Sequence, residues 1–315
     1  MLKVGLVGVG GISGAHIPAW KNMEETELAA LCDVRQEQMA SYPEQRHYTD
    51  FDEMLKKEQL DILDICLPTY LHAEYAIKAM KQGIHVICEK PISLHKEDVE
   101  KVYRTARENN VKFMVAQVLR FWPEYQLVKD LYDSGRYGKL LSGSMKRLGS
   151  IPKWSWDGWM QDEARSGMVP FDLHIHDSDF MIYTFGKPEN IDVHRTKRPD
   201  QDYICAIYEY PDFFITAEAS WYASPYPFGA EYRFQFEDAV AAWEKGVCKI
   251  YEKAGAIIDL TTQSDSDTGH INLPKSNAYA NEIRYFTDCV LKDRQPEKVK
   301  AEELETVIDI LHGLA

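Results

Sequence analysis

The chain has 315 residues, 45% of them hydrophobic, which is enough for two ordinary globular domains with buried cores. Fifty acidic against 36 basic side chains leave a formal charge of −14, which argues against nucleic acid or an anionic membrane surface as a partner. No apolar run approaches the roughly 20 residues that a spanning helix needs, and with neither a charged stretch ahead of a long apolar run nor a twin arginine in the opening residues, no targeting segment is expected. Six cysteines without a C-x-x-C pair read as reduced core thiols, so a cytoplasmic protein is expected.

In chain order, Lys3-Val4-Gly5-Leu6-Val7 reads as a strand that runs into the glycine loop Gly8-Val9-Gly10-Gly11-Ile12-Ser13-Gly14. Further runs follow at 27–33, 60–68, 84–91 and 112–117, apolar on both faces as buried parallel strands are. Between them, 70–83 and 96–110 have helical periodicity, the first stopping at Gly83. Such alternation predicts a doubly wound parallel sheet over residues 1–119.

Gly8-x-Gly10 between a strand and a helix reads as a dinucleotide fingerprint. The first glycine permits the tight turn, and the second lets backbone approach a pyrophosphate at a helix N-terminus. Ser13 stands where a third Gly or Ala is usual, so the motif alone is weak and gains its weight from context. That context is Asp33, which ends the second strand 25 residues after Gly8, near the spacing of an acid that binds ribose hydroxyls. Its charge would repel a 2′-phosphate and favour NAD over NADP, whereas Arg35 could pair with such a phosphate.

The texture changes after residue 120. A helix over 123–136 leads to a strand-like run at 139–150 and an aromatic loop, Lys153-Trp154-Ser155-Trp156-Asp157-Gly158-Trp159-Met160. From 189 to 260, five β-runs separated by turns predict an antiparallel sheet, and helices from about 278 and 301 close the chain. Residues 120–315 are expected to form a second α/β domain around a large open sheet.

Cys88-Glu89-Lys90-Pro91 at a strand end resembles the Gfo/Idh/MocA oxidoreductases, which include glucose–fructose oxidoreductase and inositol dehydrogenase. The segments 66–72, 116–125, 171–188 and 277–296 resemble other stretches of that family, so the likeness covers nearly the whole chain. It implies a Rossmann domain, a substrate domain whose sheet joins subunits into a homodimer or homotetramer, and a sugar or polyol substrate. It implies that Lys90 is the active-site lysine before a cis Lys90-Pro91 bond, with Asp172 and His176 completing the acid–base set. It also implies cofactor contacts from Gly11, Ile12, Leu67, Pro68, Thr69, His72, Glu89 and Gln117. Leu67 replaces a usual Thr, Thr69 a usual Asn, and His174 a frequent Gly, so His174 is expected to crowd the site.

Segment 171–180 carries Asp172, His174, His176, Asp177 and Asp179. As a strand it would point His174 and His176 the same way, able to chelate one ion as in a metal hydrolase. As a helix it would set them about 200° apart and bring Asp172 and His176 onto one face. Pro170 at the start and Gly186 and Pro188 at the end favour the helix, and no metal is expected. Histidine suits the base that takes a proton from an alcohol, a carboxylate can orient it, and a lysine can ease developing alkoxide. Arg120, Trp122 and Trp154 are candidate substrate contacts, with packing as the equal alternative for the aromatics. A cofactor-bound sensor without catalysis, and an enzyme that returns hydride to a second sugar on a held cofactor, remain the other readings.

Overall fold

The computed structural model describes residues 1–261 and 276–314. The chain divides into two units. One holds residues 1–118 and 277–305; the other holds 119–261 and 306–314. Among the described residues no helix is long and apolar enough to cross a membrane.

The first unit is a parallel six-stranded sheet with helices between successive strands. Its elements are β1 (Leu2–Val7), α1 (Ser13–Lys21), β2 (Thr26–Cys32), β3 (Arg46–Tyr48), α2 (Phe51–Lys57), β4 (Ile62–Ile65), α3 (His72–Met80), β5 (His85–Glu89), α4 (Lys96–Glu108) and β6 (Phe113–Ala116). The strand order β3-β2-β1-β4-β5-β6 reverses direction at β1/β4. In such a sheet ligands bind at that switch, outside the carboxyl ends of the strands. Here those ends carry the glycine loop, residues 66–69 and Lys90. Strands β1, β4, β5 and β6 are buried on both faces, which explains why they read as continuous apolar runs, whereas the short edge strand β3 is mostly exposed.

The second unit begins with α5 (Pro123–Ser134), β7 (Leu140–Ser150) and the short α6 (Glu163–Ser166). It continues through α7 (Ile175–Phe185), β8 (Asn190–Arg198), β9 (Gln201–Glu209), β10 (Phe214–Tyr222), β11 (Gly229–Phe236), β12 (Ala239–Glu244), β13 (Val247–Glu252) and β14 (Ile257–Asp259). The strands form one eight-stranded sheet in the order β14-β13-β12-β11-β7-β10-β9-β8. Two features differ from the sequence reading. Strand β7 enters the middle of the sheet and pairs in parallel with β10, the other seams being antiparallel. Strand β12, Ala-Val-Ala-Ala-Trp-Glu, escaped notice because it lacks alternating polarity: Ala241, Ala242 and Trp243 are all buried.

One face of this sheet carries the core, where Tyr125, Tyr208, Tyr232, Phe180 and Phe234 are fully enclosed. The opposite face stays partly open and mixes polar with apolar groups, Lys146, Leu148, Tyr203, Cys205, Ile207 and Glu218 among them.

The last two helices are α8 (Ala278–Leu291) and α9 (Ala301–Leu314). The sequence reading grouped α8 with the second domain, yet it packs on α1 in the first unit. The His16 and Tyr279 rings lie 5.8 Å apart, Arg284 pairs with Glu25 at 2.8 Å, and just beyond the helix Asp293 pairs with Lys112 at 2.9 Å.

Candidate active site

The glycine loop follows β1 directly. Gly8 has φ +92°, and a Cβ there would come within 2.5 Å of the Cys66 carbonyl, so no side chain fits. At Gly10 a Cβ would meet nothing within 4 Å, so backbone there is bare to an approaching group. The Ser13 hydroxyl donates to the Gly10 carbonyl at 2.7 Å and fixes the loop to the start of α1, whose first turn has no acid. Free N–H groups at a helix start without a carboxylate suit a pyrophosphate.

Asp33 lies beside this loop. Its carboxylate accepts the Val9 and Arg35 N–H groups, each at 2.8 Å, and holds the Arg35 guanidinium. The carboxylate is therefore fixed, and the arginine is partly consumed by it. Gly10, Gly11, Ile12, Leu67, Pro68 and Lys90 form the half-exposed rim, while Thr69 is buried. These features fit a dinucleotide: a turn only glycine permits, an acid-free helix start and a fixed carboxylate beyond it. The Lys90-Pro91 bond is cis.

Three cofactor candidates face inward instead. Glu89 is buried, with one oxygen at 3.1 Å from His16 Nε2 and the other accepting the Lys90 N–H at 3.1 Å. His72 is buried, with Nε2 at 2.6 Å from the Leu67 carbonyl and Nδ1 at 2.7 Å from the Pro91 carbonyl. Burial is the larger influence on this ring and pulls its pKa below the usual imidazole value, against the two carbonyls. It braces the loops rather than bordering a ligand. Gln117, just past β6, is only 2% exposed.

In the second unit, residues 170–174 form one turn of π-helix that continues into α7. Such turns widen a helix locally and occur often at functional sites. Of the fifteen residues 168–182, Asp172 and His176 alone are not buried. They are one turn apart, so a single partly open strip of an otherwise enclosed helix carries both.

His174 does not stand beside that strip. It is fully buried, its Nε2 lies 2.7 Å from the Tyr208 hydroxyl, and burial, reinforced by Arg147, pulls its pKa down to about 3. The expectation that it crowds the substrate is thus corrected: it is a neutral core residue. Arg120 is corrected too. It has no exposed surface, and its Nε and Nη2 donate side by side to the two Asp179 carboxylate oxygens, at 2.8 and 2.6 Å. Trp122 is a core ring packed on Tyr125 and Trp243. Trp154 is 66% exposed in a loop where Arg165 ties down Asp157 and Asp162.

The sequence reading missed His16 and Asp64, whose buried pair lies 2.8 Å apart. The readable signal was an acid in the middle of the apolar strand Ile62-Leu63-Asp64-Ile65, which must find a buried partner.

Comparison with known proteins agrees with this geometry. Residues 2–117 match the profile described as "Oxidoreductase family, NAD-binding Rossmann fold", and residues 125–240 match the "GFO/IDH/MocA C-terminal domain". The chain belongs to the GFO/IDH/MocA oxidoreductase family. Among its relatives, the 2,7-anhydro-N-acetylneuraminate hydratase of Escherichia coli is 30% identical over 61% of this chain and 52% of its own length. The myo-inositol 2-dehydrogenase of Thermotoga maritima is 27% identical over 59% of this chain and 55% of its own length. These matches span about half the length of each relative. An oxidoreductase from Agrobacterium radiobacter, solved with NAD+, L-tartaric acid and magnesium, shares the fold at 17% identity. Its TM-score is 0.84, over 99% of this chain and 95% of its own. As a GFO/IDH/MocA protein, the chain has in its first unit an NAD-binding Rossmann domain.

Proposed function

We propose that the protein is an NAD-dependent dehydrogenase that acts on a secondary hydroxyl of a sugar, polyol or inositol. The observation that carries this reading is the lone strip formed by Asp172 and His176 on a helix whose other residues from 168 to 182 are buried. Exposing one carboxylate and one imidazole, a turn apart, on an enclosed helix has a ready use in proton transfer. Relatives named as dehydrogenases of myo-inositol, D-apiose and glucose 6-phosphate support the substrate class.

In this reading a bound nicotinamide would supply the hydride acceptor. The protein's residues manage the proton and the charge. His176 accepts the hydroxyl proton as hydride departs, because an imidazole titrates near the working pH. Asp172, on the same face, orients the ring and favours its protonated form. Lys90 stabilises negative charge on the reacting oxygen and gives a hydrogen bond to the cofactor ribose. Gly8 to Ile12 seat the pyrophosphate, and Asp33 takes the adenosine ribose hydroxyls and disfavours a 2′-phosphate. Trp154 offers an apolar face to a sugar ring.

The partly open face of the eight-stranded sheet is where a second copy would pack, making a homodimer or homotetramer. Six free cysteines, five of them buried, support a reducing cytoplasmic home.

A panel of polyols, inositols and sugars with NAD, read by NADH absorbance, tests the reading. NADH formed with one stereochemical class supports it. A second reading draws on the relative named as a hydratase: a net addition or loss of water, in which substrate is converted while no NADH accumulates. Product analysis beside the absorbance trace separates the two.

A further inference from the structure

Helix α1 starts at the glycine loop and, one turn later, turns the His16 ring into the core. Its Nδ1 lies 2.8 Å from Asp64 Oδ2 on β4 and its Nε2 3.1 Å from Glu89 Oε1 at the end of β5. The Trp20 indole N–H donates to the same Asp64 oxygen at 2.6 Å, and the Cys66 thiol donates to the other at 3.6 Å. Glu89 spends its second oxygen on the Lys90 N–H. An unbroken polar chain, Asp64 to His16 to Glu89 to the Lys90 backbone, therefore runs under the carboxyl ends of β4 and β5.

Both ring nitrogens face carboxylates, and ionised carboxylates only accept, so the ring that satisfies both is the imidazolium. Burial is the largest single influence and opposes that charge, but Asp64 and Cys66 together outweigh it and hold the His16 pKa well above the ordinary imidazole value. Glu89 shows the reciprocal effect: burial pushes its pKa up, yet His16, joined by Lys90, more than offsets this and holds it low. A buried ionic group of this kind is often replaceable by apolar side chains without loss of stability, so its presence calls for a use. Its far end supplies one, because residues on both sides of Lys90 are gripped: Glu89 by His16, and the Pro91 carbonyl by His72.

We propose that His16 is a positioning residue for Lys90: by gripping Glu89 it fixes the backbone from which the lysine extends, and it ties that backbone to the helix that begins at the dinucleotide loop. This rests on the reading of Lys90 as the lysine of the reacting centre. His16 touches neither reactant; it acts through Glu89.

The test compares the full-length wild type with His16→Gln, Asp64→Asn and Lys90→Met. Three quantities are read: deuterium exchange of the Lys90 amide, NAD affinity by titration, and turnover. A glutamine donates to one carboxylate at most, so His16→Gln releases Glu89. The Lys90 amide then exchanges at least about tenfold faster while β6 amides keep their rates, and kcat falls about tenfold or more with substrate KM and NAD affinity within about threefold. Asp64→Asn keeps the shape but removes the charge that favours the imidazolium, so it gives a smaller effect of the same kind and serves if His16→Gln does not fold. Unchanged Lys90 exchange in a folded variant, or equal loosening throughout the first unit, overturns the proposal. Full turnover in Lys90→Met would instead overturn the role given to the lysine, and the exchange data would judge the His16 brace by itself.

Discussion

His174 and His176 stand two residues apart and face different surroundings: the first meets the Tyr208 hydroxyl in the core at 2.7 Å, and the second lies on the partly open strip with Asp172. An ion cannot be shared by two rings placed so. Activity is therefore expected to survive exhaustive chelation, and loss on chelation that zinc restores would revive the hydrolase reading.

The same relationship separates stability from catalysis. His174→Phe leaves the Tyr208 hydroxyl with Ser178, 3.0 Å away, as partner. It is expected to cost about 0.5–1.5 kcal/mol of stability, while kcat stays within about threefold. Thermal unfolding and turnover on one preparation check this, and a large kcat loss at unchanged Tm would place His174 in the reaction.

Replacing His176 by Ala should reduce kcat by about 10²–10⁴ with NAD affinity kept, as deletion of a general base does. Asp172→Asn should cost less, because it spoils orientation but leaves the base. In the oxidative direction the rate should rise with pH through the imidazole titration and flatten above it. A pH-independent rate for wild type, or an active His176→Ala, would send the search for the base elsewhere.

Lys90→Met should leave NAD binding within about tenfold and remove most turnover. Nucleotide titration and single-turnover kinetics divide those two effects.

NAD should bind more tightly than NADP, because the fixed Asp33 carboxylate would face a 2′-phosphate and Arg35 is already engaged by Asp33. Asp33→Ser should narrow the gap by about tenfold, ~1.4 kcal/mol. Tighter NADP binding by the wild type would show that Arg35 dominates.

His16 makes a prediction about alkaline stability. Its folded-state pKa is raised, so its contribution is complete below the unfolded imidazole value and fades as pH climbs through the folded one. Asp64, Cys66, Glu89 and Tyr279 are the titratable groups around it. The stability gap between wild type and His16→Gln should therefore be widest in mildly acid solution, below the unfolded imidazole value, and shrink as pH rises through neutrality into alkali; a gap that is flat with pH would mean a ring that never carries charge.

How much of this was legible depended on what each residue type betrays in isolation. The parallel sheet was readable because its strands are apolar on both faces and its helices stop at recognisable punctuation, such as Gly83. The strip of Asp172 and His176 was readable because helical spacing fixes which residues share a face. Arg120 and His174 were misread because a charged or polar side chain suggests a ligand, and only tertiary structure reveals that Asp179 or Tyr208 already satisfies it. The parallel insertion of β7 beside β10 left no local trace at all, since pairing between strands some 70 residues apart is set by the whole sheet.

The return of α8 to the first unit bears on how the chain is made. A ribosome delivers residues 1–118 first, yet the helix that packs on α1 lies at 278–291 and emerges only after the whole eight-stranded sheet has been made. Until then the α8-facing side of α1 is without its native cover. The Rossmann unit must wait for residues far downstream of its own sheet, so a nascent chain stalled before residue 278 is the species most in need of a chaperone.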